Sequence, residues 1–100
     1  MNMTIDKFVP ASGEGIGLQI VGAIDLTSRQ ALLDAGLDVL ASNSLTLDLA
    51  DVAFMDSVGI SAVIELARIA EVQGRRFSVS GRSARVERVL AATGLDDAWR

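Results

Sequence analysis

The chain is predicted to be a small α/β domain: an N-terminal β-hairpin, then alternating β-α units forming a mixed sheet of about four strands packed with helices. Three observations predict this. Apolar residues first recur with a period of two, then switch repeatedly between that period and helical spacing. Glycines, Gly74 and Gly94, close the last two segments of helical spacing, where helices stop. One hundred residues, half of them apolar, suffice for one domain with a modest core.

The elements follow in order. Residues 4–10 form the first strand, and "ASGEGIG", with three glycines, reads as a turn. "GLQIVGAI" (17–24) is the second strand, with Leu18 and Ile20 on one face. "DLTSRQALLDAGLDVL" (25–40) reads as a helix. Asp25 or Thr27 can cap it, because either side-chain oxygen can accept a free N–H of the first turn. Leu33, Leu37 and Leu40 fall at i, i+4 and i+7, with Leu26 one heptad before Leu33. That stripe is expected to face the core, with Asp34 and Asp38 pointing away.

"SLTLDLADVAF" (44–54) alternates, with Leu45, Leu47 and Leu49 on one face and Thr46, Asp48 and Ala50 on the other. A break is expected near Asp51. Leucines on one face ask for a covering layer of helix. The next helix begins after Asp56, runs to Gln73 and stops at Gly74. Ile60, Val63, Ile64 and Ala67 line one side of it, and Leu66, Ile69 and Ala70 widen the stripe. "RRFSVSG" (75–81) is a short strand with Phe77 and Val79 on one face. Ser83 caps a last helix carrying Val86, Val89, Leu90 and Thr93. Gly94 ends it, and Leu95 is placed for the apolar contact that accompanies a glycine stop. "DDAWR" leaves no room for another full element. Strands alternating with helices imply right-handed crossovers and a partly parallel sheet.

Composition narrows the chemistry. There is no cysteine, hence no disulfide, thiolate metal site or redox chemistry. There is no histidine, which removes the commonest general base and metal ligand. The apolar runs are too short to span a bilayer, and "MNMTIDKFVP" does not read as a secretory signal. A cytoplasmic protein without membrane insertion is expected. The net charge of −4 argues against direct nucleic-acid binding. Up to Ile60, eight acids face Lys7 and Arg29; beyond it, five acids face seven arginines. Most of those arginines read as solvated helix faces, though a local protein contact remains open.

The stretch "AFMDSVGISAV" (53–63) carries the main question: a serine beside an aspartate where a strand gives way to a helix. A hydrolase elbow would need a glycine where Met55 stands, and a histidine to deprotonate Ser57. The only lysine, Lys7, is an unlikely substitute base. No catalytic residue is therefore assigned. A phosphate-binding loop also fails, since "GEGIG" precedes a strand and no glycine-lysine motif follows. Asp48, Asp51 and Asp56 lack calcium-loop spacing. They read as solvent-facing or capping, so neither a metal nor a cofactor is expected.

What remains is a site acted upon. Asp56 is a good N-cap, which makes Ser57 the first helical residue, with its hydroxyl at an exposed lip. A phosphate there would add about −1.5 to −2 charges. The helix N-terminus tolerates an anion, although Asp56 repels it. A partner docked over the lip would have to desolvate that charge, at a cost on the order of 3–5 kcal/mol. Caps are common, so the residues alone favour the plainer reading, a cap and its neighbour.

"DLADVAFMDSVGISAVIELARIAEVQGRRFSVSG" resembles the STAS domain family, most closely its bacterial anti-sigma factor antagonists. The shared pattern is an apolar strand, Phe-Met-Asp-Ser-x-Gly, an apolar helix, a glycine stop and another strand. "GAID" (22–25) and "VERVLAATGLDD" resemble further family segments, and the likeness runs from about Gly15 to Leu95. The resemblance implies that Ser57 is a phosphoacceptor, modified by a partner that is both serine kinase and anti-sigma factor. The unphosphorylated form would bind that anti-sigma factor and free a sigma factor, and a phosphatase would reset the system. The chain would then be a substrate and binding switch rather than an enzyme. Its docking surface would be the lip of Asp56, Ser57, Val58 and Gly59, with Asp25 beside it. Gly59 would let a partner approach closely, or let the helix pack.

Three departures stand out. Val58 replaces a second hydroxyl found in some members. Ala23 stands where some carry a glutamate. The chain ends at Arg100, where members usually add a strand and a helix; Trp99 is placed to cover the sheet edge or core left there. One rival is a constitutive STAS adaptor of a transporter ATPase or signalling scaffold, with Ser57 never modified. Another is a nucleotide-binding domain, against which the missing lysine-bearing loop speaks.

Overall fold

The computed structural model describes residues 2–95 and 99. Its elements come in the expected order: β1 (Met3–Phe8), β2 (Ile16–Ile24), α1 (Arg29–Leu40), β3 (Leu45–Met55), α2 (Ser57–Val72), β4 (Phe77–Arg82) and α3 (Ala84–Thr93). The strands form one sheet in the order β1-β2-β3-β4. β1 pairs antiparallel with β2, while β2 with β3 and β3 with β4 are parallel. The fold is thus α/β with a mixed four-stranded sheet and three helices. The expectation for "DDAWR" falls partly on Asp96, Asp97, Ala98 and Arg100, which lie outside the described residues.

Alternation places Leu18 and Ile20 of β2 and Leu45, Leu47 and Leu49 of β3 in the core, all at 1% exposure or less. β3 does not break at Asp51. It bulges instead, because Gln19 and Val21 of β2 pair with Asp48 and Asp51 of β3. The extra residue shifts the buried phase from Leu49 to Val52, and a second slip carries it to Met55. The strand therefore continues to the edge of α2, delivering Asp56 and Ser57 to the end of the sheet.

The apolar stripe of α1 differs from the expected one. Residues 25–28 form a turn, so the helix begins only at Arg29. Leu26 lies outside it at 75% exposure, and Leu37 is at 40%. The buried face is Leu32, Leu33, Gly36, Val39 and Leu40. Gly36 faces the Leu66 side chain of α2, so the two helices meet there. In α2 the buried set is Gly59, Ile60, Ala62, Val63, Leu66 and Ala70, with Ile64 and Ala67 half-buried. The stripe is rotated slightly from the expected one.

The caps follow the sequence more closely. Ser83 Oγ accepts the Val86 N–H at 3.2 Å and donates to the Val52 carbonyl at 2.7 Å, tying the start of α3 to β3. Gly74 and Gly94 stand in the left-handed region, at φ 69° and 77°. After Gly94, the Leu95 N–H donates to the Leu90 carbonyl at 2.8 Å, and Leu95 packs on the core. Trp99 meets Phe77 edge-on, with ring centroids 5.4 Å apart, and its carbonyl accepts the Val79 N–H of edge strand β4. Among the described residues, no helix is long and apolar enough to cross a membrane.

Candidate functional site

Parallel pairing sets the site. Ile24, the last residue of β2, pairs with Met55, the last of β3. The chain leaves one strand through Asp25 and the other through Asp56. Both acids thus open neighbouring loops at the same end of the sheet.

Asp56 has extended backbone, and its Oδ1 accepts the Gly59 N–H at 2.9 Å. Its carbonyl accepts the Ile60 N–H at 3.0 Å, the first bond of α2. Asp56 is therefore a true N-cap. Ser57 follows as the first helical residue and is exposed. Among the described residues its hydroxyl has no hydrogen-bond partner. Val58 beside it is half-buried.

Gly59 is buried, and a methyl group there would collide with the Ile24 carbonyl. Of the two roles open for this glycine, close packing of helix on strand is the one the geometry matches. The same contact seats the N-terminus of α2 against the end of β2, at the end of the sheet where the Asp25 loop begins.

That loop is locked by its own side chains. Asp25 Oδ1 accepts the Thr27 N–H at 2.9 Å, the Thr27 hydroxyl at 2.7 Å and the Ser28 N–H at 3.2 Å. The Ser28 hydroxyl accepts the Asp25 N–H and donates to the Ala23 carbonyl at 2.7 Å. Asp25 thus caps the turn before α1; the helix N-cap itself is Ser28. The Thr27 hydroxyl, aided by the Thr27 and Ser28 N–H groups, holds the Asp25 carboxyl below its ordinary value against an opposing desolvation. Ala23 is buried. Arg29, at the head of α1, reaches Glu65 of α2 at 3.0 Å, so its charge is compensated within the protein.

The other acids stand apart. Asp48 Oδ1 accepts the Ala50 N–H, and Asp51 is exposed on the bulge of β3. Among the described residues, no three metal-binding side chains converge. The Asp25 turn bonds and the Arg29–Glu65 pair were not foreseen from sequence. "DLTS" carried a signal for the first, since Asp followed two residues later by Thr is turn chemistry. Nothing local marked the second. At this end of the molecule the geometry offers an exposed primary hydroxyl at an acidic, rigid lip.

A family model described as "Mlab, STAS domain" matches residues 8–99. This chain belongs to the STAS domain family. Within it, the chain is similar to the anti-sigma-B factor antagonist of Bacillus subtilis (strain 168), at 29% identity over 98 residues, which is 97% of this chain and 88% of that protein. It is also similar to the solved structure of an anti-sigma factor antagonist from Mycobacterium paratuberculosis. That likeness has a TM-score of 0.79 and 28% identity, over 98% of this chain and 83% of the other. A sulfate transporter family protein from Wolinella succinogenes shares the fold too, at TM-score 0.71 and 26% identity, over 94% and 76% of the two chains. The STAS chain is thus an anti-sigma factor antagonist-like domain.

Proposed function

We propose that this STAS domain is a phosphorylation-controlled binding switch. The unphosphorylated chain binds an anti-sigma factor with serine kinase activity and so frees a sigma factor. Phosphorylation of Ser57 releases the partner, and a phosphatase restores binding. The observation that carries the proposal is Ser57 itself: an exposed hydroxyl with no hydrogen-bond partner among the described residues, at the first position of a capped helix. The similarity to anti-sigma factor antagonists supplies the class of partner.

The physical sequence is short. The kinase supplies ATP and magnesium, and the Ser57 oxygen takes the phosphoryl group. Asp56 and the close fit of Gly59 hold the helix start in place, so the fold survives the modification. The new charge sits beside Asp56, at the same end of the sheet as Asp25, and a partner surface suited to acids of this number no longer fits it.

Capture from a lysate of the source organism tests this, with wild type, Ser57→Ala and Ser57→Asp as baits. An ATPase-fold kinase is expected with the first two and absent with the third. Its equal recovery on all three baits would contradict the switch. A second reading, a constitutive adaptor, is favoured by the likeness to a sulfate transporter family protein. It predicts the same transporter or scaffold component on every bait.

A further inference from the structure

Leu26 was expected in the core and is instead 75% exposed, between Asp25 and Thr27. A lone exposed leucine needs no explanation. This one differs in place and in rigidity. The other large exposed apolar residues lie elsewhere: Val9 beyond the far end of β1, Leu37 late in α1, Val72 at the end of α2 and Val21 within β2. Among the described residues, Leu26 is the large, strongly exposed apolar side chain at the Ser57 end. Its backbone is held on both sides, through Asp25 Oδ1 with Thr27 and Ser28, and through the Ser28 hydroxyl with the Ala23 carbonyl. A side chain presented by a fixed turn loses little further freedom on docking. Asp25, next to it in the chain, and Asp56, at the same end of the sheet, carry charge that no ion pair neutralises among the described residues, whereas Arg29 is spent on Glu65.

We propose that Leu26 is an anchor that the protein partner of the Ser57 lip takes into an apolar pocket, with cationic side chains at the pocket's rim facing Asp25 and Asp56. This rests on the switch described above and names the chemistry of its partner. The two parts have separate tasks. The acids attract the partner and set the rate of encounter. The buried leucine holds the complex together and sets its lifetime. Phosphate on Ser57 attracts the same cations, so it releases the partner through its bulk and hydration, which keep the pocket from closing over Leu26.

The test uses the purified kinase recovered with the Ser57→Ala bait, with association and dissociation rates followed by surface-based kinetics. Leu26→Ser is expected to raise the dissociation rate roughly tenfold to a hundredfold, from the loss of one buried leucine contact. Its association rate and salt dependence should stay near wild type. Leu26→Met, which keeps the apolar bulk, should dissociate within a few-fold of wild type. Unchanged thermal melting of both variants shows that the effect is not one of folding. Dissociation of Leu26→Ser within twofold of wild type overturns the anchor, even if Ser57→Asp releases the kinase as expected. Conversely, fast dissociation of Leu26→Ser together with tight binding of Ser57→Asp supports the anchor and removes the charge switch. If sedimentation shows that Leu26 instead joins two copies of this chain, and Leu26→Ser abolishes only that association, the anchor is also overturned.

Discussion

At Asp56 one side chain decides how α2 begins. Its bond to the Gly59 N–H satisfies a donor that the helix cannot. Asp56→Ala should therefore cost about 1 kcal/mol in urea unfolding, and Asp56→Asn much less. Gly59 tolerates change less well, because the Ile24 carbonyl occupies the space of a side chain. Gly59→Ala is expected to cost roughly 1–3 kcal/mol and to push the start of α2 away from the end of β2. Asp25 gives a titration test. Its folded pKa lies below the ordinary aspartate value, chiefly through the Thr27 hydroxyl. The turn's contribution is thus present above the unfolded pKa and lost as pH falls through the folded one. Thr27→Val should raise the Asp25 pKa in an NMR titration; an unmoved pKa would remove Thr27 as the cause. These roles were legible unequally. Asp56, Ser57 and Gly59 stand in a contiguous motif. Leu26 was misplaced, because its heptad spacing from Leu33 looked helical while the bonds of Asp25 hold it in a turn.

Among the elements, α1 and α2 show what periodicity can and cannot give. Both helices were legible as helices; Asp56 and Gly74 marked the ends of α2, whereas α1 starts later than expected, at Arg29 after Ser28, and ends without a glycine. The buried face of α1 was not, because its centre is Gly36, a residue that apolar patterns pass over. Its meaning appears only when Leu66 of α2 faces it. Leu66 is fully buried, so Leu66→Ala should cost about 2–5 kcal/mol in chemical denaturation and loosen the α1–α2 contact. β3 teaches a related lesson. Its first half alternates cleanly, but the phase of burial moves at the bulge, from Leu49 to Val52 and then Met55. A register slip arises from pairing with β2, and one strand read alone does not contain it.

Across the whole molecule, the parallel strands deliver their C-terminal ends, and the helices their starts, to one end of the sheet. The order of elements and the mixed sheet were legible because alternation, helical spacing and glycine stops agreed along the chain. The placing of the Asp25 loop and Ser57 at one end of the sheet was partly legible, through "GAID" and "MDSVG". It becomes definite with the pairing of Ile24 and Met55. The central claim is that phosphate on Ser57 dismisses a protein partner without unfolding the domain. The measurement that bears on it most directly is the Kd of the captured kinase for unphosphorylated and Ser57-phosphorylated chain, side by side. A penalty of about 3–5 kcal/mol corresponds to a weakening of at least a hundredfold, with thermal unfolding little changed. Equal affinity for the two forms would contradict the account and leave Ser57 as the neighbour of a helix cap.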